Sequence, residues 1–219
     1  MTEVKIVVNL NMAKAEILEP GCFYHIYNRG INSETLFKAE RNYNYFLNKY
    51  SQYILPVANT FAYCLLGNHF HILIQVKTQS VLETFSKRNK DKHNYGLHSA
   101  NFTVSKQFAK LFSSYTQAIN KSFGRTGGLF ESPFNRIKIE SENYLTNLIK
   151  YIHFNPQKHG FVNDFRDYSY SSYQSHLEGR ETKLSRKLVL EWFGNKEEYI
   201  NFHSTETNTL SNSNLQLEE

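Results

Sequence analysis

The chain has 219 residues, 40% of them hydrophobic and 15% aromatic, with 15 Tyr and 17 Phe against a single Trp. That length fits one domain with extensions or at most two small ones, and the apolar fraction excludes a disordered or low-complexity chain. Lys and Arg number 25 against 20 Asp and Glu, a formal charge of +5, which permits a polyanionic partner without requiring one.

No apolar run approaches the roughly 18 residues that span a bilayer, so a soluble protein without a membrane partner is expected. The two cysteines, Cys22 and Cys64, form no C-x-x-C pair, which argues for a reducing cytoplasm and against a disulfide scaffold or a cysteine-built zinc site. The N-terminal apolar stretch is too short for a signal peptide. Met12 offers an alternative start to Met1.

In chain order, Pro20-Gly21 precedes an aromatic and β-branched run, Cys22 to Tyr27, that reads as a strand ending at Asn28-Arg29-Gly30. From Lys38 to Ile54 the apolar residues recur at helical spacing and stop before Pro56. Phe61 to Leu66 and His69 to Val76 are two apolar runs joined by Gly67-Asn68, the pattern of a tight β-hairpin. In its second arm the period of two puts Phe70, Ile72, Ile74 and Val76 on one face and His69, His71, Leu73 and Gln75 on the other. Residues 77–100, with their basic stretch from Lys87 to Lys92, read as a long loop or lid.

Phe102 to Phe123 predicts a second helix and Phe134 to Ile139 another strand. Ser141-Glu142 suits a helix start, and Leu145, Leu148, Ile149 and Ile152 give an amphipathic helix running until Pro156. The order of strands and helices predicts an α+β fold, an antiparallel sheet with helices packed on it. The expected layout is an N-terminal extension over 1–19, a main domain over 20–176, a helical extension over 177–203 and a disordered tail over 204–219.

Taken alone, His69-Phe70-His71 is weak: two imidazoles on one strand face can hold a divalent ion or can be ordinary half-exposed polar positions. On the last helix Tyr151 and Asn155 stand four residues apart on one flank, about 110° and about 70° from the centre of the apolar stripe, bordering the core.

Four blocks make the pattern specific: Tyr24-His-Ile-Tyr-Asn-Arg-Gly30, Leu65-Leu-Gly-Asn-His-Phe-His-Ile-Leu73, Gly128-Leu-Phe-Glu-Ser-Pro-Phe134 and Tyr151-Ile-His-Phe-Asn-Pro-Gln-Lys-His-Gly160. In this order and spacing they resemble the REP-associated tyrosine transposases, within the wider His-hydrophobe-His (HUH) single-strand transposases of small insertion sequences. The resemblance covers about residues 20–175. It implies a ferredoxin-like domain in which His69 and His71 match the metal-ligand pair, Tyr151 the nucleophile, and Asn155 the polar residue completing the metal site. Tyr115 also sits on a helix, but no block places a nucleophile there, and His25 is given no role.

The residue types suit that chemistry. A tyrosine hydroxyl with a pKa near 10 is a poor nucleophile at neutral pH and needs an activated phosphodiester. Two neutral imidazoles and an amide oxygen suit Mg²⁺ or Mn²⁺ better than structural zinc. The resemblance further implies single-stranded or hairpin DNA as partner, cut and rejoined through a 5′-phosphotyrosine. Candidate DNA contacts are Asn28, Arg29, Lys87, Arg88, Lys90, Lys92, Arg136 and Lys138. Two other readings stay open: a non-catalytic module that binds single-stranded nucleic acid, and a zinc hydrolase lacking an identifiable third ligand. The sequence also leaves open a homodimer in which Tyr151 completes its own site or its neighbour's.

Overall fold

The computed structural model describes residues 16–89 and 99–205. The expectations for an alternative start at Met12 and for a disordered tail beyond residue 205 fall outside these residues.

Four strands form one sheet: β1 (Phe23–Arg29), β2 (Ala58–Leu65), β3 (His69–Val76) and β4 (Asn135–Ile139), in the order β2-β3-β1-β4. Every pairing is antiparallel. The connections run through α1 (Glu40–Tyr53) between β1 and β2, and through α2 (Gln79–Arg88) and α3 (Ser99–Phe123) between β3 and β4. This is the expected ferredoxin-like α+β arrangement. After β4 come α4 (Glu142–Lys158), α5 (Tyr173–Leu177), α6 (Arg186–Trp192) and α7 (Lys196–Ser204).

The alternation along the strands sorts the chain into two cores, one on each face of the sheet. Tyr24 and Ile26 of β1 and Phe70, Ile72, Ile74 and Val76 of β3 pack with Phe46 and Tyr50 of α1 and Phe108, Leu111 and Tyr115 of α3. The opposite face carries Ala62 and Cys64 of β2 and Leu73 of β3 against Leu145, Leu148, Ile149 and Ile152 of α4, with Tyr173, Val189 and Tyr199 closing the far side. The faces divide as the period of two requires, which puts His69 and His71 on the α4 side.

Two expectations need correction. Residues 79–88 are helix rather than loop, because Leu82 is buried and Phe85 half-buried against the first core while α2 docks on α3 through Ser86 Oγ and Thr103 Oγ1, 3.2 Å apart. The basic run that suggested a loop begins only at the last turn of α2, where Lys87 and Arg88 also suit the helix dipole. Helix α4, in turn, does not stop before Pro156 but continues through it to Lys158. A proline so near the helix end removes little, and the carbonyls of Asn155 and Pro156 still accept from the N–H groups of His159 and Phe161.

The Gly67-Asn68 hairpin forms as expected, yet neither turn residue has a positive φ. The turn is shaped by tertiary contacts instead: the Gly67 carbonyl accepts from the N–H groups of Leu36 and Phe37, and the Asn68 carbonyl from that of Gly30. Gly30 is required there, since a Cβ would meet the Glu34 carbonyl oxygen at 2.0 Å.

Helix α4 is fixed at both ends and along its outer face. Ser141 caps it, its Oγ accepting from Tyr144 N–H at 3.3 Å. On the outer face His203 Nδ1–H donates to the Tyr199 carbonyl at 2.7 Å, which leaves its Nε2 to accept from His153 Nδ1–H at 3.0 Å. His153 Nε2 then accepts from Ser172 Oγ at 2.7 Å. Burial pushes the pKa values of His176 and His203 down to about 4 and about 3. An unfolded histidine titrates near 6.5, so below that pH the unfolded chain binds more protons, and stability present above it is lost as pH falls. The urea midpoint should therefore drop between pH 7 and pH 5, and His203→Phe should flatten the drop. An unchanged slope in that variant would refute the assignment.

Candidate active site

The register of the sheet builds the site. On β3, His69 and His71 point to the α4 side; across β1, Arg29 lies opposite His69 and Tyr27 opposite His71. From above, α4 lowers Tyr151, Asn155 and His159, spaced by one helical turn each, onto this imidazole-bearing surface. The Tyr151 ring stands edge-on to His71, centroids 5.6 Å apart at 81°, and His159 edge-on to His69 at 5.0 Å. The tyrosine and the histidine pair thus meet within one chain, with Asn155 one helical turn beyond Tyr151.

Burial is greater than the sequence suggested. Tyr151 is 7% exposed and Asn155 fully buried, so this flank of α4 lies inside the second core rather than bordering it. The second core covers this flank as well as the apolar stripe of Leu145, Leu148, Ile149 and Ile152.

The polar atoms here are unusually placed. Asn155 Nδ2–H donates to the Tyr151 carbonyl at 2.8 Å, while its Oδ1 is buried with no hydrogen-bond partner. His69 Nδ1 lies 2.7 Å from Asn68 Oδ1, an acceptor, so its proton sits on Nδ1 and its buried Nε2 keeps a lone pair that no group among the described residues meets. His71 Nδ1 is engaged by His25 Nε2 at 3.0 Å, and Nε2 is its remaining ring nitrogen. Buried polar atoms are normally satisfied. A buried imidazole nitrogen and a buried amide oxygen, each residue held by a partner on its other polar atom, are the donor types that suit a hard or borderline divalent cation. Among the described residues, no group of three or more His, Cys, Asp or Glu side chains is arranged to hold a metal ion, so such a cation would depend on the asparagine amide and on non-protein ligands.

Both histidines are neutral at physiological pH. Burial, then His159 and Arg29, push the His69 pKa down to about 4, and burial with His25, His69, His159 and Lys158 holds His71 well below the usual range. Two cations border the site: Arg29, exposed on the same sheet face and paired with Glu131 at 3.7 Å, and Lys158, whose Nζ lies 5.6 Å from the Tyr151 ring centroid. That field favours a phosphate-sized anion above the imidazoles.

No family model matches the chain. A candidate REP-associated tyrosine transposase of Haemophilus influenzae is 30% identical over 116 residues, 52% of this chain and 58% of that protein. The chain thus spans less than two thirds of that relative's length. A solved REP-associated tyrosine transposase bound to a REP hairpin aligns with a TM-score of 0.56 at 14% identity, covering 78% of this chain and 88% of the other. The chain resembles a REP-associated tyrosine transposase, and the likeness of structure extends to the fold of that solved transposase. A bacterial tRNA(His) guanylyltransferase-like protein in complex with GTP aligns more weakly, at 11% identity and a TM-score of 0.36, and supports no argument.

The remaining residues singled out on the transposase pattern are dispersed. Asn28 is 1% exposed; its Nδ2 donates to the Glu131 carbonyl and its Oδ1 accepts from Arg29 N–H, so both ends of the amide serve the fold. Arg29 reaches Ser33 Oγ at 2.7 Å and Glu131 at 3.7 Å beside the histidines. Arg136 lies over the Phe134 ring and donates to Ser105 Oγ at 2.9 Å, tying β4 to α3, and Lys138 pairs with Glu19. Lys87 and Arg88 are exposed in the α1/α3 layer, across the sheet from the histidine pair, and Lys90 and Lys92 lie outside the described residues. Sequence reasoning missed His25, Lys158 and His159. The i, i+4, i+8 spacing of Tyr151, Asn155 and His159 was a readable signal for the last.

An acceptor kept open for a ligand costs stability while the ligand is absent. Asn155→Ala should therefore lower the stability of the cation-free protein by less than about 1 kcal/mol, where emptying a buried apolar side chain costs roughly 2–5 kcal/mol. Urea unfolding in the presence of chelator checks this; a loss in the larger range would mean that the Asn155 amide is structural.

Proposed function

We propose that the chain is a metal-dependent transposase that nicks and rejoins single-stranded, hairpin-forming DNA, with Tyr151 as nucleophile. The observation that carries this reading is the contact of Tyr151 with His71 beside the open acceptors of His69 and Asn155. The resemblance to transposases supports the substrate class, and the positive surroundings of the site suit a phosphodiester.

The Tyr151 hydroxyl gives up its proton as its oxygen bonds to phosphorus and the bond to the 3′ oxygen breaks; the departing oxygen takes a proton and becomes a free 3′-hydroxyl. One phosphodiester is exchanged for another, so the energy of the bond is retained and a 3′-hydroxyl from another end can reverse the step. No nucleoside triphosphate is needed, and the sequence holds no G-x-x-x-x-G-K-[ST] run. His69, His71 and Asn155 would hold Mg²⁺ or Mn²⁺, which would withdraw charge from the phosphate oxygens and stabilise the leaving oxygen. Arg29 and Lys158 attract the DNA backbone, and the packing of α4 holds the tyrosine against the site so that attack needs no search.

Incubation with a single-stranded hairpin oligonucleotide and Mn²⁺ should give a protein–DNA adduct that survives denaturation. Tyr151→Phe should abolish it, and Tyr115→Phe should leave it, because the Tyr115 hydroxyl is buried and donates to the Leu36 carbonyl at 2.8 Å. An adduct that persists in Tyr151→Phe would overturn the nucleophile. Binding without an adduct, unaffected by chelator, would favour a non-catalytic nucleic-acid module.

A further inference from the structure

His25 is fully buried on β1, its ring stacked on His71 with centroids 5.2 Å apart and planes 22° from parallel. Its Nε2 is 3.0 Å from His71 Nδ1. Tyr27 closes on it at 5.0 Å, and Tyr151 stands edge-on to it at 6.2 Å and 84°. One side chain therefore touches both a candidate cation ligand and the candidate nucleophile, yet lies beneath both and cannot itself reach a substrate. Its second nitrogen, Nδ1, is buried with no hydrogen-bond partner.

Two neutral imidazoles that share one hydrogen bond have two ways to place their protons. If His25 Nε2–H donates, the proton of His71 sits on Nε2 and that nitrogen cannot bind a cation. If His71 Nδ1–H donates, Nε2 of His71 carries a lone pair and the proton of His25 moves to Nδ1. We propose that His25 is a positioning residue that sustains the second arrangement once a cation binds: by accepting from His71 Nδ1–H it presents His71 Nε2 as a ligand and seats the ring against which Tyr151 packs. Asn68 does the same for His69 with an acceptor that has no alternative. His25 instead can hold either arrangement, so arrival of a cation at His71 fixes the direction of the bond. This rests on the proposed function in one respect, that His71 is a cation ligand.

The test is Mn²⁺ affinity of the metal-free protein, measured by electron paramagnetic resonance without DNA, together with long-range ¹H–¹⁵N spectra of the ring nitrogens in Mg²⁺-saturated protein. His25→Leu, which keeps the volume and removes the acceptor, should weaken Mn²⁺ binding by about 10- to 100-fold. His25→Gln, whose amide oxygen can still accept, should recover most of it. The spectra of the native protein should place the His71 proton on Nδ1. Equal affinity in native protein and His25→Leu, or a proton on His71 Nε2 in the Mg²⁺-saturated form, would overturn the proposal; should His25→Leu fail to fold, the native spectra decide alone. His71→Gln separates the two levels: if it leaves Mn²⁺ affinity intact, the site reading itself fails, whereas its loss alongside an unaffected His25→Leu removes only the role of His25.

Discussion

The structure depends on one packing event, the docking of α4 across the face of the sheet that carries His69 and His71. A strand with imidazoles on one face and apolar residues on the other would ordinarily leave the imidazoles in water. Here a helix with a wide apolar stripe covers that face, and its flank covers the histidines as well. Their depressed pKa values, the dry surroundings of Asn155 Oδ1 and the contact between Tyr151 and His71 all follow from this cover. Without it the same residues would be a solvated strand and an exposed tyrosine.

The C-terminal elements make the docking hold. Among the described residues the sheet has four strands, and its edge strand β4 is short, Asn135–Ile139. Residues 165–205 supply apolar area through Phe165, Tyr173, Val189 and Tyr199, and they grip α4 by polar contacts on its outer side. The His203–His153–Ser172 chain is one grip. Lys150 is another, 4% exposed, its ammonium donating to the Thr205 carbonyl at 2.7 Å and to Thr205 Oγ1 at 2.8 Å. A buried lysine is costly unless its donors are met, so this contact ties the last described residues to the turn of α4 that bears Tyr151. The helical extension expected over 177–203 thus contributes Val189 and Tyr199 to the core that α4 closes.

Much of this was legible in the sequence because the relevant signals are local. Period-two alternation assigned His69 and His71 to one face, and helical spacing put Tyr151 and Asn155 on one flank, from residues close together in the chain. The errors have a common cause in long-range contact. Helix α2 has three apolar residues amid polar ones, Val81, Leu82 and Phe85, and Leu82 and Phe85 become a helix face only when α3 is beside them. Asn28 is buried through a hydrogen bond to the Glu131 carbonyl, a partner 103 residues away that nothing local reveals. His25 was given no role because the register that sets it against His71 joins residues 46 apart in sequence.

The basic residues illustrate why charge counts read function poorly. Of those proposed from sequence as DNA contacts, Arg136 and Lys138 are occupied in holding β4 and the N-terminal segment, and Lys87 and Arg88 stand on the far layer. The cations that act on the imidazoles among the described residues are Arg29, which faces His69 across the sheet, and Lys158, which follows Tyr151 by two helical turns. A lysine seven residues on falls on the same helix face as the tyrosine, so the helix that carries Tyr151 also delivers positive charge beside it. Coupling the two on one rigid element keeps their separation fixed whatever the loops do. A net charge of +5 spread over 219 residues carries no such information; the order of residues on α4 does.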